Sequence, residues 1–328
     1  MDVLSDVLMA VRLSGAVFFD VRAWPPFVTA SPSSDLIRRR LLSDVGHVIG
    51  FHVVTSGACW AESLDSAGPA QELRAGQMVI YPGGDANLML SSPGMRAEPD
   101  WQAYYRAVNE LRPLTISVNE GARDEPCRYV CGYLACDARP FNPLLSSLPP
   151  LVRERISRRS WEWMRSLLDA AVEASTTVDA GREAMLAKLA ELMFVEALRT
   201  HIAGLPDDAR GWVAGLRDPQ VGAALRLMHE RPADGWSLER LAREIGMSRS
   251  SFTERFTSYV GLPPMQYLAR WRLQLAARML KDGNATIERV SAAVGYESEA
   301  AFSRAFKRSV GESPGAWRRR GRLPVRGE

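Results

Sequence analysis

Two stretches near the C-terminal end of the chain carry arginine, hydroxyl and carboxylate side chains at helical spacing. Their outward residues are Arg249, Ser250, Ser251, Thr253 and Glu254 in the first stretch, and Glu299, Ala300, Ser303 and Arg304 in the second. A guanidinium group can donate two hydrogen bonds to guanine O6 and N7, a glutamate can accept from cytosine N4, and a methyl group can contact the thymine methyl. These residue types predict two helices that read base edges in the DNA major groove.

Cations in the same region suit a different role. Lys307 and Arg308 end the second stretch, and Arg318 follows shortly after it. We expect all three to contact phosphates, which position a protein on DNA without reading its sequence. Phenylalanines also recur at helical spacing in both stretches, and that spacing favours the core over a platform for base stacking. They are Phe252, Phe256, Phe302 and Phe306.

The elements that must position these side chains follow from an internal repeat. The pattern Ser-x-x-x-Phe-x-x-x-Phe begins at Ser248 and again at Ser298, an offset of 50 residues. A fixed offset indicates two copies of one supersecondary unit. In each copy an apolar helical stripe precedes a glycine suited to a left-handed C-cap, and the serine is suited to an N-cap. The repeat predicts two helix-turn-helix units, with second helices at 249–258 and 299–308.

A helical pattern joins the two copies. It follows Pro263 and Pro264 and ends at Gly283. At 1.5 Å per residue, such a helix of about 18 residues is roughly 27 Å long. This length can hold two recognition helices near the ~34 Å spacing of successive major-groove faces.

This region resembles the DNA-binding domain of AraC/XylS-type transcription regulators. The matching segments are Gly-Met-Ser-Arg-Ser-Ser-Phe at 246–252, Pro-Met-Gln-Tyr-Leu at 264–268, Gly-Tyr-Glu-Ser-Glu-Ala-Ala-Phe-Ser-Arg-Ala-Phe-Lys at 295–307, and the closing Gly311, Ser313, Pro314, Trp317 and Arg318. The resemblance implies a homodimeric, double-stranded-DNA-binding regulator that contacts RNA polymerase, with activation as the expected effect. Glu254 stands where the resemblance implies a basic residue, so it either reads cytosine or faces a protein neighbour.

The N-terminal part of the chain has a different pattern. A short amphipathic helix is expected at 1–12, followed to about residue 135 by short apolar runs broken by turn residues. Strands are expected at 48–54, 77–81, 88–90 and 114–118, with turns at 82–85 and 91–94. Many short strands without intervening helices favour a barrel or a sandwich.

This segment resembles the cupin-type ligand-binding domain attached to many AraC-type regulators. The spacing G-x5-P-x-G of the second cupin motif occurs at 76–84, and Asn87 stands where the motif has histidine. The first motif is matched at 46–52 by a glycine and His52, with Val54 in place of the second histidine. The resemblance implies a β-barrel whose interior binds a small molecule.

The departures from the cupin motifs decide the expected chemistry. A metal site needs several imidazole and carboxylate ligands around one ion, whereas at most His52, Cys59 and Asp85 remain here. We therefore expect no metal, cofactor or catalytic residue. We expect instead a cavity for an unknown small-molecule effector, because barrel interiors are a common place for such pockets. The candidate wall residues are His52, Trp60, Tyr81, Asp85 and Asn87.

Three alternatives stay open at this point. His52 could be a hydrogen-bonded core residue without a ligand. The chain could be a cupin enzyme joined to a DNA-targeting module, which metal bound after purification would support. It could also be an architectural DNA-binding protein, which would show no saturable small-molecule binding in 1–148.

Charge is divided unevenly along the chain. Residues 211–328 contain 20 Lys and Arg against 12 Asp and Glu, a net of +8, whereas residues 1–210 contain 21 against 26, a net of −5. A cationic C-terminal module is what phosphate binding requires. The chain shows no long apolar run and no signal-peptide pattern at its N-terminus, so we expect a cytoplasmic protein without a membrane segment.

The four cysteines are too few for a disulfide scaffold and fit a reducing compartment. Cys127, Cys131 and Cys136 lack the spacing of a zinc or redox pair, so buried small side chains are the favoured interpretation. A thiol-based redox sensor is the alternative, and it would need exposed thiols of low pKa.

Prolines at 140–150 mark the end of the strand-rich part. Helices are expected at 151–175 and 180–203, separated by a break at 175–179. They would form either a packing layer on the barrel or a dimer interface. The sequence thus predicts an α+β multidomain protein: a cupin-like β-barrel at 1–148, a helical linker or dimerisation segment at 149–210, an all-α double helix-turn-helix domain at 211–320 and a basic tail at 321–328.

Overall fold

The computed structural model describes residues 2–11, 13–41, 46–110, 114–121, 124–136, 140–173 and 182–320. The chain divides into two compact units, each discontinuous in sequence. The sheet unit comprises Leu13–Cys136 and Leu148–Gly204, and the helical unit comprises Met1–Arg12, Asp137–Ser147 and Leu205–Glu328. The predicted break at 175–179 and the predicted basic tail at 321–328 lie outside the described residues.

Two sheets build the sheet unit. Numbered along the chain, the strands are β1 (Ser14–Ala23), β2 (Val28–Ser31), β3 (His47–Ser56), β4 (Ala58–Ser63), β5 (Gln71–Arg74), β6 (Gln77–Tyr81), β7 (Asn87–Leu90), β8 (Leu114–Val118), β9 (Cys127–Cys136) and β10 (Val152–Arg155). One sheet has the order β10-β6-β3-β9-β1-β8 and the other the order β2-β7-β4-β5. All pairs are antiparallel except β1 with β8. The four strands expected from the sequence are all present.

The core of the sheet unit lies between the two sheets. Buried side chains from the six-stranded sheet, among them Phe19 and Tyr129, pack in one cluster with Cys59 and Met89 from the four-stranded sheet. The alternating apolar residues of each strand supply this shared core. The sheet-rich character predicted for the N-terminal domain is therefore confirmed, and its strands lie in two sheets where a β-barrel was predicted.

Helices also belong to the sheet unit. They are α2 (Ser34–Arg40), α3 (Trp101–Glu110), α4 (Arg158–Glu173) and α5 (Arg182–Gly204). The sequence pattern did not indicate α2 and α3. The helix expected at 151–175 begins only at Arg158, since residues 152–155 form a strand that pairs with β6. An edge of a sheet distant in sequence decides that conformation, so the local apolar pattern predicted it wrongly.

The apolar side chains of α5 do not all lie on its buried face. Leu189 and Leu198 are buried, whereas Met185 and Leu192 are 39% and 51% exposed. Between residues 189 and 198, the buried side chains recur every three to four residues, as on one face of a helix. The α5 helix packs against β1 and β10. One face of α5 therefore covers the sheet while another stays open.

The helical unit contains the predicted DNA-binding elements. Its helices are α1 (Val3–Val11), α6 (Trp212–Gly215), α7 (Pro219–Glu230), α8 (Leu238–Glu244), α9 (Arg249–Val260), α10 (Pro264–Asp282), α11 (Ile287–Ala293), α12 (Glu299–Val310) and α13 (Pro314–Arg320), with a 3-10 turn at Leu145–Ser147. Both predicted recognition helices begin where expected and extend two residues further. The all-α character of this part is confirmed.

Residues 1–12 and 137–147 lie within the range expected for the effector domain but belong to the helical unit. The α1 helix buries Val3, Val7 and Val11 and packs on α7 and α10. The side-chain amide of Gln274 donates from Nε2 to the Ala10 carbonyl, 3.3 Å, and accepts from the Phe141 backbone N–H, 3.0 Å. An amphipathic pattern shows that a helix has a buried face but does not show which partner covers it.

Candidate functional site

Capping residues and a turn glycine set the ends of the helices in the first helix-turn-helix unit. Ser237 caps α8 by accepting a hydrogen bond from the Arg240 backbone N–H, and Ser248 caps α9 by accepting from the Ser251 backbone N–H. Between the helices Gly246 has φ +70°, in the left-handed region that glycine adopts without a Cβ penalty. Phe252 and Phe256 are fully buried beneath α9, as predicted.

The second unit repeats these signals. Thr286 caps α11 and Ser298 caps α12 in the same way, and Gly295 in the turn has φ +81°. Phe302 and Phe306 are fully buried in a cluster that also contains Trp317. The two units therefore share a serine cap, a left-handed glycine and two buried phenylalanines, and α9 and α12 have equivalent positions in them.

The outward face of α9 lines a shallow groove together with Leu238. The groove brings together Arg249, Ser250, Thr253 and Glu254, four of the five residues predicted there. Arg249 is already engaged, since its Nη1 donates to Oε1 of Glu239 across 2.6 Å. This hydrogen bond is the main cause of a lowered pKa of the Glu239 carboxyl. The exposed Ser251 hydroxyl accepts from the Ser248 hydroxyl at 2.9 Å.

The outward face of α12 is more basic. Arg304, Lys307 and Arg308 are exposed and form no ion pair with another described residue. Glu299 and Ala300 are exposed at the start of the helix, and Ser303 is partly exposed. At the 50-residue offset Arg304 corresponds to Glu254, so the two faces differ in charge at equivalent positions.

Arg318, the third predicted phosphate contact, has an internal partner. Its Nη2 donates to the Ala285 carbonyl at 2.5 Å, and its Nε is buried. The side chain thus ties α13 to the segment before α11. Any contact with phosphate has to use the part of the guanidinium that this hydrogen bond leaves available.

An ion pair that the sequence did not indicate fixes α9 to α7. Arg255 donates from Nη2 to Oδ2 of Asp218 at 2.5 Å and from Nε to both carboxylate oxygens at 3.1 and 3.2 Å. Asp218 also caps α7 by accepting from the Gln220 and Val221 N–H groups. Burial by itself raises the pKa of Asp218, but the bonds from Arg255 and the helix N-terminus lower it below its ordinary value.

The predicted effector site centres on two residues from different sheets. His52 on β3 donates from Nε2 to Oδ1 of Asn87 on β7, 2.7 Å, and the Asn87 amide donates to the Asp85 carbonyl, 3.1 Å. The positions of the two cupin motifs therefore meet inside the sheet unit. Burial lowers the pKa of His52 to about 4, so the imidazole is neutral at pH 7.

A narrow cleft beside this pair is lined by hydroxyl and aromatic groups. Ser31, Tyr104, Tyr133 and Cys131 face it together with His52 and Asn87. The hydroxyl groups of Tyr104 and Tyr133 are 3.1 Å apart. The cleft is too narrow to hold a water molecule, so a ligand can bind only if the residues that line the cleft move apart. Tyr104 lies on the unpredicted helix α3, and the sequence offered no pattern that linked it to His52.

The other candidate wall residues lie elsewhere. Trp60 is on β4 between the buried Cys59 and Ala61, so its side chain points to the opposite face of the sheet. Tyr81 is buried in the core, with its ring centroid 6.0 Å from that of His52. Asp85 accepts hydrogen bonds from Ser63, at 2.8 Å, and from Ser66. The structure brings only His52 and Asn87 of the predicted set together in the cleft.

The residues of this site do not fit a cupin metal centre. His52 Nε2 is occupied by Asn87, and Val54 stands where the first motif has its second histidine. Within the described ranges, no group of three or more His, Cys, Asp or Glu side chains is arranged to hold a metal ion.

All four cysteines are buried thiols. The hydrogen bond between the Cys59 and Cys127 thiols, together with burial, raises the pKa of Cys59, and burial raises that of Cys131. A low-pKa, exposed thiol is what a redox sensor needs. The structure therefore favours the interpretation of these cysteines as packing residues.

Comparison with known proteins accounts for both parts of the chain. Residues 2–203 match the cupin family and residues 241–320 match a helix-turn-helix domain family. An AraC-like transcription regulator of Streptomyces lividans is 31% identical over 281 residues, which cover 86% of this chain and 90% of that protein. The HTH-type transcriptional regulator AlkR of Acinetobacter baylyi is 31% identical over 270 residues, covering 81% and 86%.

Among solved structures, the DNA-binding domain of AdpA in complex with a target DNA is 31% identical, covers 31% of this chain and 91% of that chain, and has a TM-score of 0.30. A cupin-like domain joined to two helix-turn-helix units with exposed arginine and hydroxyl groups defines a DNA-binding regulator. The chain belongs to the family of AraC-like transcription regulators. Its described helices include none long and apolar enough to cross a membrane.

Proposed function

We propose that the protein is a sequence-specific regulator that reads two successive major-groove segments of double-stranded DNA through α9 and α12. The observation that carries this proposal is the equivalence of the two units, which share caps, a left-handed glycine and buried phenylalanines. The α10 helix between them has 19 residues, or about 28 Å. This length suits helices that enter the groove one turn, ~34 Å, apart.

The proposed reading residues are those predicted from the sequence. In α9 they are Arg249, Ser250, Ser251, Thr253 and Glu254, and in α12 they are Glu299, Ala300, Ser303 and Arg304. Lys307, Arg308 and Arg318 are the proposed phosphate contacts. The exposed basic face of α12 supports a larger electrostatic contribution from the second unit, because each neutralised phosphate releases counterions.

Selection of binding sites from random DNA tests this proposal. The experiment uses the full chain, because residues 2–11 and 140–147 pack into the same unit as α6–α13. We expect enrichment of two half-sites about one helical turn, ~10.5 base pairs, apart, with affinity that falls steeply as salt rises. Binding without enrichment would contradict sequence reading and would favour an architectural protein.

The effector is proposed to bind at the His52–Asn87 cleft of the sheet unit. A ligand there can change DNA binding only through its differential affinity for two conformations of the protein. A library screened by thermal shift identifies compounds that stabilise the full chain. Asn87→Leu, which removes the amide, should abolish the shift, whereas the matched control Trp60→Leu should retain it. Equal shifts in both variants would move the effector site elsewhere.

Homodimerisation through α4 and α5 is part of the proposal. Trp163 and Leu167 on α4, and Met185 and Leu192 on α5, are exposed apolar side chains. Sedimentation analysis of Leu192→Glu should show a monomer if this surface is the interface, and an unchanged dimer would exclude it. Contact with RNA polymerase and activation of transcription are proposed from the family resemblance, and a cytoplasmic location is proposed from the cysteine usage that fits a reducing compartment. A reporter assay gives the sign of regulation.

A further inference from the structure

Arg272 on α10 connects the two helix-turn-helix units through backbone carbonyls. Its Nε donates to the Pro232 carbonyl at 2.6 Å, its Nη2 to the Asp234 carbonyl at 2.7 Å, and its Nη1 to the Gly295 carbonyl at 3.2 Å. All three nitrogens of the guanidinium are thus used. Two acceptors lie before the first unit, and the third lies in the turn of the second unit.

The segment that holds the first two acceptors is itself fixed to the first unit. Asp234 Oδ2 accepts from Nη2 of Arg240 on α8 at 3.3 Å. The indole of Trp236 donates to the Arg231 carbonyl at 2.8 Å and lies beneath the Arg240 guanidinium. A continuous chain of contacts therefore runs from α8 through the 231–236 segment to α10 and on to the turn before α12.

Direct packing reinforces this chain of contacts. A Cβ atom on Gly295 would lie 2.8 Å from the Ala233 Cα and carbonyl oxygen and 2.9 Å from Nη2 of Arg272. The 231–236 segment, which precedes the first unit, thus lies against the turn of the second unit without space for a side chain on Gly295. The contact resists a change in the angle between the units.

The chemistry of this site suits arginine and no other side chain. The guanidinium is a planar group with five donors in a fixed geometry, whereas a lysine ammonium is a point charge on a flexible stem. Burial lowers the pKa of Arg272 below its ordinary value, but an arginine stays charged at every physiological pH. The charged group strengthens its bonds to the three carbonyls.

We propose that Arg272 is a positioning residue for DNA recognition: it fixes α9 and α12 at one separation and one rotational phase. This inference rests on the proposed reading of two groove segments. When two linked modules are held in the correct geometry, the second binds as an intramolecular partner, and the gain is lost if the geometry does not match. A rigid connection therefore converts the spacing of two half-sites into a specificity determinant.

A spacing series tests the inference with the full chain. The DNA probe is the pair of half-sites that the wild-type protein selects, together with versions lengthened by one, two and five base pairs, and each half-site alone. Arg272→Lys keeps the positive charge but loses the planar group that donates to three carbonyls at once. Arg278→Lys is the matched control on the same helix, since Arg278 is half-exposed and pairs only across 3.6 Å with Asp282 among the described residues.

We expect insertion of two base pairs to weaken wild-type binding about 100-fold and Arg272→Lys binding about tenfold or less, because a looser connection reduces the geometric gain. Affinity for each isolated half-site should stay at the wild-type value in both variants. Loss of folding stability alone would lower the active fraction equally for all probes and would leave the spacing profile unchanged. Arg278→Lys should retain the steep wild-type profile.

An equally steep profile in Arg272→Lys would overturn the inference while leaving the proposed function intact. A wild-type protein that shows no preference for paired half-sites would instead overturn the proposed two-segment reading, and the inference with it. If Arg272→Lys does not fold, Arg240→Ala is decisive, because it removes the contacts with Asp234, Gly235 and Trp236 that fix the 231–236 segment to α8. Its spacing profile should also become flatter, and a wild-type profile would overturn the rigid connection that runs through Arg272.

Discussion

Nη1 of Arg249, at the start of α9, lies 2.6 Å from Oε1 of Glu239 on α8. The arginine proposed to read a base in the first unit therefore has a carboxylate partner in the protein without DNA. Both side chains are more than half exposed, so water and salt screen the interaction. Binding to guanine or phosphate has to exchange this partner for a nucleic-acid acceptor.

Removing the carboxylate should strengthen DNA binding. Glu239→Gln frees Arg249 and removes a negative charge near the phosphates, so we expect affinity to rise about twofold to fivefold at low salt. Fluorescence anisotropy with the selected site at two salt concentrations measures this change. Glu244→Gln on the same helix removes an equal charge at a position without contact to Arg249 and is the control. Weaker binding by Glu239→Gln alone would show that Glu239 orients Arg249 for recognition.

Arg304 is expected to carry specificity in the second unit. Arg304→Ala should cost about 1–3 kcal/mol of binding free energy and relax the preference at one base pair. Binding to a panel of single-base variants of the selected site measures both effects. Arg226→Ala, on the exposed side of α7, controls for the loss of one positive charge. Unchanged affinity and preference would remove Arg304 from the reading set.

The pair of Asp218 with Arg255 should stabilise the helical unit. Asp218→Asn keeps a capping acceptor but loses the charge, and we expect a loss of about 1–2 kcal/mol in the free energy of unfolding, reduced by the partial exposure of Arg255. Because the folded-state pKa of Asp218 is lowered, this stabilisation is present above the ordinary carboxyl pKa and is lost as pH falls through the lower folded-state pKa.

Urea unfolding at pH 7 and at pH 3 measures the contribution of Asp218. The difference between wild type and Asp218→Asn should shrink at the lower pH. Glu312→Gln, which removes the surface pair with Arg320, should change the free energy of unfolding by less than about 0.5 kcal/mol at either pH. A difference that is equal at both pH values would contradict the ionic contribution.

Buried His229 should make the helical unit sensitive to mild acid. Its ring stacks on Trp271 at 4.0 Å between centroids, and its Nε2 is 2.8 Å from the Tyr267 hydroxyl. Burial lowers the pKa of His229 from 6.5 to about 3. Between these values the unfolded chain binds a proton that the folded chain does not, so stability falls as pH falls, by up to ~1.4 kcal/mol per pH unit.

His229→Phe keeps an aromatic ring and removes the titration. Its unfolding free energy should depend less on pH between 6 and 4 than that of the wild type. The Asp6 carboxylate, 3.9 Å from Nδ1 of His229, has a pKa raised by burial, which gives a slope of the opposite sign in both proteins. Trp212→Phe removes the other hydrogen bond to Tyr267 without removing a titratable group, and should keep the wild-type slope. Equal slopes for wild type and His229→Phe would exclude His229 as the source.

Local signals explain how much of the DNA-binding part could be predicted. Ser248, Gly246 and Ser298 act within one turn of chain, so their types and spacing alone predict where α9 and α12 begin. The period of the phenylalanines likewise shows which face of each helix is buried. Their outward residues follow by exclusion, and for this reason the same set reappears on the exposed faces.

Long-range partners explain what could not be predicted. Val152 and its neighbours form a strand because they pair with β6. The amphipathic pattern of residues 3–11 indicates a buried face but does not indicate that α7 and α10 cover that face. In the cleft proposed for the effector, motif spacing indicated His52 and Asn87, whereas Tyr104 and Tyr133 join them only through tertiary packing.

The sequence by itself therefore determined the two helix-turn-helix units, the residues at which α9 and α12 begin, the buried faces of these helices and the cupin-like character of the N-terminal part. Tertiary structure alone decided that Glu239 pairs with Arg249 and that Asp218 pairs with Arg255. It also decided that Arg272, among several arginines on α10, connects the two helix-turn-helix units. The physical reason is the nature of the acceptors. Backbone carbonyls such as those of Pro232 and Gly295 exist at every residue, so only folding selects which of them a guanidinium meets.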